Sequence, residues 1–141
     1  MTIVAVGPCA QMVVNGCHEA WSVIRCNAVD AGIAFAAISH PLVIVLDVEG
    51  TRCDDGVIAD YRSASPLSQV VLVGRALNST DIERARRLGC YGCVEIDADV
   101  GRVIRAAAAR GQVARQLLSA PAPPASSPRR PRRRASRRRL H

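Results

Sequence analysis

Residues 41–56 read Pro41-Leu-Val-Ile-Val-Leu-Asp47-Val-Glu-Gly50-Thr-Arg-Cys-Asp-Asp-Gly56. The apolar residues Leu42 to Leu46 run without a break into Asp47, and a polar, turn-rich loop follows and closes at Gly56. A continuous Val- and Ile-rich run of this length, bounded by turn residues, is the pattern of a strand buried on both faces at the centre of a parallel sheet. In open α/β sheets the groups that bind and react lie just beyond the carboxyl ends of the strands. Asp47 is expected at such a position.

Working outward, Ile3 to Val6 reads as a first short strand, stopped by Gly7-Pro8, with a short helix over 9–18 that ends near Asn15-Gly16. Trp21 to Cys26 is an alternating second strand. Asn27 is placed to cap a helix reaching Ser39, and His40-Pro41 breaks that helix ahead of the central strand. Beyond the Gly50–Gly56 loop the pattern predicts a helix over Val57 to Arg62 and a fourth buried strand over Gln69 to Val73, ending at Gly74. Thr80-Asp-Ile-Glu83 has the spacing of a capping box. In the helix it opens, Ile82, Ala85 and Leu88 form the apolar face, Arg84, Arg86 and Arg87 point outward, and Gly89 is the stop. Tyr91 to Ile96 is a fifth strand. Asp99 can cap a last helix whose apolar stripe runs Val100, Val103, Ile104, Ala107, Val113 and Leu117. Five strands alternating with five helices predict an α/β fold, a doubly wound five-stranded parallel sheet.

Charge divides the chain. All 19 basic residues are arginine, and eight of them (Arg129, Arg130, Arg132, Arg133, Arg134, Arg137, Arg138 and Arg139) lie near the C-terminus. Every one of the 12 acidic residues precedes position 100, so residues 1–118 hold 11 arginines against 12 acids, a net of −1. Residues 1–118 are expected to form one domain, large enough to bury roughly two thirds of its unfolded surface. Residues 119–141 are expected to be a disordered tail: a Pro/Ala/Ser linker over 119–128 followed by the arginine run. As a flexible coil the tail would reach about 30 Å. The start of the chain lacks a basic n-region, and no stretch approaches the ~20 apolar residues of a membrane span. A cytoplasmic location without membrane contact follows as the expectation, and the six cysteines are then expected as free thiols.

The run Pro41 to Asp47 with Gly56, then Val70-Val-Leu-Val73, then Ala85 with Leu88-Gly89-Cys90, then Val94, resembles a response-regulator receiver domain over most of residues 2–118. The resemblance implies a role in two-component signal transduction or transcriptional regulation, with Asp47 at the position that a partner histidine kinase phosphorylates. It also implies a Mg²⁺-binding acidic pair after the first strand, a Ser or Thr ending the fourth strand, a Lys ending the fifth, and a switch aromatic within the fifth. Here those positions correspond to Gly7 and Pro8, to Gly74, to Ile96 or its neighbour, and to Cys93. Phosphoryl transfer to a carboxylate needs a divalent cation held by several carboxylates. The chain therefore reads as a pseudo-receiver that works without phosphorylation, with no cofactor and Mg²⁺ only if Asp47 is phosphorylated. Glu49, Asp54 and Asp55 are the acids that could rebuild a metal site.

Arg84, Arg86, Arg87, Arg102 and Arg105 decorate the face of the fourth helix, fifth strand and fifth helix, which receivers use for pairing, so a protein partner or a homodimer is expected. The arginine tail points to a second class of function, an accessory protein that holds DNA or RNA through phosphate contacts without reading sequence, since no aromatic is present to stack on bases. The competing reading is compositional: a Lys-free chain suggests a GC-rich coding sequence, in which Pro/Ala/Arg/Ser runs arise without selection. A linker of this kind leads, in many response regulators, into a helix-turn-helix domain, and the chain stops where one would begin, as a truncated or stand-alone regulator would. Cys90-Tyr-Gly-Cys93 is a CxxC pair, for which packing, zinc and redox readings stay open; as it leads into a strand and not a helix, packing is favoured. His18 and His40 are isolated. No Ser/His/Asp set, phosphate loop or dinucleotide motif appears, so an enzyme is not expected.

Overall fold

A computed structural model describes residues 1–17, 21–51 and 53–119. The arginine run and His18 lie outside the described residues. Five strands, β1 (Thr2–Val6), β2 (Ser22–Cys26), β3 (Val43–Asp47), β4 (Gln69–Gly74) and β5 (Gly92–Glu95), form one parallel sheet in the order β2-β1-β3-β4-β5. The helices are α1 (Pro8–Asn15), α2 (Val29–Ser39), α3 (Asp55–Ala64), α4 (Ser79–Arg87) and α5 (Val100–Ser119). This is the doubly wound α/β arrangement expected from the alternation of patterns. β3 is central, and all five of its residues are buried.

The two-residue period of a strand sends alternate side chains to opposite faces. On one face Ile3, Ala5, Val43, Val45, Val71 and Val73 pack with Cys9, Ala10 and Val14 of α1 and Val100, Ile104, Ala107 and Ala108 of α5. On the other, Val4, Val6, Ile44, Leu46, Val70 and Leu72 pack with Ala36 of α2, Ile58 and Tyr61 of α3 and Ala85 of α4. Continuous apolar runs are what a sheet covered on both faces requires.

Four local expectations are corrected. Asn27 does not cap α2: the capping position is Ala28, which makes no side-chain bond, and Asn27 Oδ1 instead accepts from Gln11 Nε2 at 2.8 Å. The capping box of α4 is built by Asn78 and Asp81, not by Thr80 and Glu83. Asn78 Oδ1 accepts from Asp81 N (2.9 Å) and Asp81 Oδ2 from Asn78 N (3.1 Å). Asn is the stronger capping residue, so the helix starts earlier. Ile82, assigned to the apolar face, is then 56% exposed. In α5 the inward stripe is Val100, Ile104, Ala107, Ala108 and Gly111, whereas Val113 and Leu117 face solvent. The helix runs out over the amino ends of β3 and β4, where a Cβ on Gly111 would lie 3.3 Å from the Leu42 carbonyl oxygen. The apolar stripe continues in sequence past the edge of the surface it could cover. Asp99 does cap α5, accepting from Arg102 N at 3.2 Å.

Candidate functional site

The sheet order reverses between β1 and β3, and the crevice beyond the carboxyl ends of these two strands is the switch point where ligands bind in such folds. Asp47 ends β3 there, level with Val73 of β4. Its surroundings come from two segments, the β1–α1 junction Gly7-Pro8-Cys9 and the loop after β3.

Asp47 is 0% exposed. Its Oδ2 accepts the backbone N–H of Cys9 at 2.8 Å, and its Oδ1 accepts those of Glu49 (2.9 Å) and Gly50 (2.8 Å). The Thr51 hydroxyl donates to the Asp47 carbonyl oxygen at 2.6 Å. Burial by itself pushes the Asp47 carboxyl up, but the N–H groups of Gly50, Cys9 and Glu49, with the Cys9 thiol, outweigh it and hold the group below its ordinary value.

The bond from Cys9 has a local cause. α1 begins at Pro8, has no side-chain cap and no acid in its first turn. One of the free N–H groups at its amino end, that of Cys9, is met by Asp47, which supplies across the sheet both an acceptor and the negative charge that a helix start favours. Gly7, at φ 91°, makes the approach possible: a Cβ there would lie 2.7 Å from Asp47 Cβ. Pro8 fits the first helical position because its missing N–H is one that the helix leaves unpaired. On the opposite side, a Cβ on Gly50 would collide with Asp47 Oδ2 and come within 2.8 Å of Pro8 Cδ. The carboxylate is enclosed by backbone that only these small or donor-free residues permit.

The acids that could rebuild a metal site are engaged elsewhere. Glu49 Oε1 accepts from Arg75 N (3.1 Å) and Ala76 N (2.9 Å), tying the loop after β3 to the loop after β4. Asp54 caps α3 through Val57 N at 2.8 Å. Asp55 pairs with Arg87 at 2.8 Å and lies 3.7 Å from Arg84 Nε. Among the described residues no group of three or more His, Cys, Asp or Glu side chains is placed to hold a metal ion. Mg²⁺ needs several oxygen ligands in near-octahedral array. Asp47, whose two oxygens already accept three N–H groups, is a lone carboxylate with Gly7 and Pro8 beside it and does not fit that requirement. Gly74 brings no side chain to the end of β4, and Ile96 follows the end of β5.

Arg84, assigned to the outward face, turns inward: its guanidinium donates to the Cys53 carbonyl oxygen at 2.8 Å, and its Nε is buried without a hydrogen-bond partner. Arg86, Arg87, Arg102 and Arg105 are exposed, with Arg87 held by Asp55. Cys90 and Cys93 pack against the core on the α3–α4 side of the sheet, as does Cys53. Burial pushes each of these three thiols up to about 11, which disfavours the free thiolate that redox chemistry uses. His40 ends α2 in the left-handed conformation at φ 45°. No helix among the described residues is long and apolar enough to cross a membrane.

The enclosure of Asp47 was not read from the sequence. The one signal for it is the Gly7-Pro8 pair, which is suited to starting a helix at close range and unsuited to binding a cation.

No family model matches the sequence, and no curated protein matches it. Solved structures do match the fold. A CheY-like response regulator receiver domain from Methanospirillum hungatei aligns with a TM-score of 0.68 at 10% identity, over 80% of this chain and 97% of that one. The signal receiver domain of the response regulator NarL from Mycobacterium tuberculosis aligns at 0.62 and 19% identity, over 79% and 95%. A response regulator from Burkholderia pseudomallei, solved with a phosphorylated aspartic acid and a calcium ion, aligns at 0.64 and 14% identity, over 84% and 74%. The chain has the receiver fold.

Proposed function

We propose that this chain is a receiver-like signalling module that acts through protein contacts and does not use Asp47 as a phosphoryl acceptor. The observation that carries this reading is the engagement of both Asp47 oxygens by the backbone N–H groups of Cys9, Glu49 and Gly50 at zero exposure. An in-line attack on phosphorus needs a free carboxylate oxygen and a cation to offset the charge on the incoming phosphoryl oxygens. Here both oxygens already accept N–H groups, and among the described residues no cluster of carboxylates is placed to hold the cation. The carboxylate keeps a structural role, as the cap of α1 and the tie between β3 and its following loop.

Incubation with acetyl phosphate and Mg²⁺ tests the reading. Intact-protein mass spectrometry should show no adduct of about 80 Da. Such an adduct, lost in Asp47→Asn, would mean that the chain is a conventional phospho-switch.

The arginine run supports a second role, retention of DNA or RNA. Eight guanidinium groups between Arg129 and Arg139 can pair with phosphates, and each contact adds to the salt dependence of binding. Deleting residues 119–141 should abolish retention on a duplex oligonucleotide column at low salt; retention that survives the deletion assigns binding to the folded domain.

A further inference from the structure

The loop that joins β4 to α4 runs from Arg75 to Asn78, and each of its backbone N–H groups ends on a carboxylate. Glu49, two residues past the end of β3, takes the first two through one oxygen: Arg75 N at 3.1 Å and Ala76 N at 2.9 Å. Glu95, the last residue of β5, accepts from Leu77 N at 3.3 Å. Asn78 N donates to Asp81 within the capping box that starts α4. β4 lies between β3 and β5, so the loop is gripped from both sides by acids of the neighbouring strands. Successive backbone N–H groups in a turn make a concavity that favours an anion. Here the anions belong to the chain itself.

Gly74 leaves the room for this grip. It is buried at the end of β4 and has no left-handed backbone, so what it supplies is space. A Cβ there would lie 2.9 Å from Leu77 Cδ2, 3.1 Å from Val48 Cγ2 and 3.2 Å from Glu49 Oε1. Any side chain at this position would stand where Glu49 passes to reach the loop. Glu49 is in turn anchored at its own backbone, because its N–H donates to Asp47 Oδ1 at 2.9 Å. The enclosed aspartate is thus joined to α4 through Glu49 and the loop.

We propose that Glu49 and Glu95 form a built-in latch, which holds the loop after β4, and with it the start of α4, in one conformation without any anion from outside. The surface of α4 is then presented to a partner permanently and not on a signal. This rests on the reading that Asp47 takes no phosphoryl group, since one added there would bring a competing anion to the same end of the sheet. Charge matters to the latch: an ionised acceptor binds N–H groups more strongly than a neutral amide does.

Amide exchange rates of the full chain, followed residue by residue by NMR, test the latch. Glu49→Ala should speed exchange at Arg75 and Ala76 by about fivefold or more, Glu49→Gln by less, and Glu95→Ala should act at Leu77. Gly74→Ser should reproduce the Glu49→Ala pattern with Glu49 still present. The amides of β1 and β3 should keep their rates in the two alanine variants. In the parent, acetyl phosphate with Mg²⁺ should leave Arg75 to Leu77 unchanged. Rates at Arg75 and Ala76 that do not move in Glu49→Ala overturn the proposal. So does a rise shared equally by β1 and β3, which is a loss of global stability, or a change in the loop of the parent on adding acetyl phosphate. A phosphoryl adduct on Asp47 with the loop rates unaltered would end the phosphorylation-free reading while supporting the latch.

Discussion

Replacing Asp47 by alanine is expected to lower the unfolding free energy by roughly 3–5 kcal/mol, a large share of the total for a domain of this size. Three charge-assisted hydrogen bonds disappear, and the N–H groups of Cys9, Glu49 and Gly50 lose their acceptor, that of Cys9 in a buried position. α1 also loses the carboxylate that meets its amino end. Asp47→Asn should recover only part of the loss, because its amide nitrogen presents hydrogens to N–H donors. Urea denaturation at neutral pH measures the difference. A loss below about 1 kcal/mol in the alanine variant would show that the enclosing backbone does not depend on the carboxylate.

The same residue sets a pH dependence. The folded-state pKa of Asp47 lies below the unfolded value of about 3.9. Its stabilising contribution is therefore complete above the unfolded value and fades as pH falls through it toward the lower folded one. The parent should lose stability across this acid window more steeply than Asp47→Ala, so the gap between the two narrows as pH drops. A gap that stays constant from neutral pH to below 3 would exclude the linkage.

Gly32→Ala is expected to destabilise the domain by about 3 kcal/mol, against the usual direction for a glycine inside a helix, where alanine is favoured by about 1 kcal/mol. The added methyl would collide with the Tyr61 hydroxyl oxygen and lie 2.9 Å from Val6 Cγ2. Tyr61 is fully buried and donates to the Val29 carbonyl oxygen at 2.9 Å, so the ring cannot withdraw without breaking a buried hydrogen bond. Thermal unfolding gives the size of the loss. Tyr61→Phe removes the oxygen that the methyl meets, so the double variant should lose less than the sum of the singles. Full additivity would place the strain elsewhere.

The likeness to receiver domains lies in the fold, at identities of 10–19% in the three structures compared. What separates this chain in chemistry is Gly7-Pro8. Two residues that start a helix stand where the resemblance implies an acidic pair, and the helix they start closes on the carboxylate.

Sequence alone was enough for the architecture. The runs Leu42–Leu46 and Val70–Val73 have no polar position, so they suit only strands covered on both faces, and the pieces between them have helical spacing. It was enough, too, for Asp47 at the end of the central strand, and for Gly89 and Asp99 at the ends of their helices, since these are short-range effects. The partner of each polar group was not legible, because hydrogen bonds that span the sheet join residues 38 apart, as Cys9 and Asp47 are. Nor was the fate of Glu49, Asp54 and Asp55, which lie close together in the chain and meet three different partners. The reach of the sheet beneath α5, which leaves Val113 and Leu117 in solvent, and the outward turn of Phe35 and Ile38 depend on what lies under each helix. Periodicity says that a helix has an apolar face; only the packed layers decide how much of it is covered.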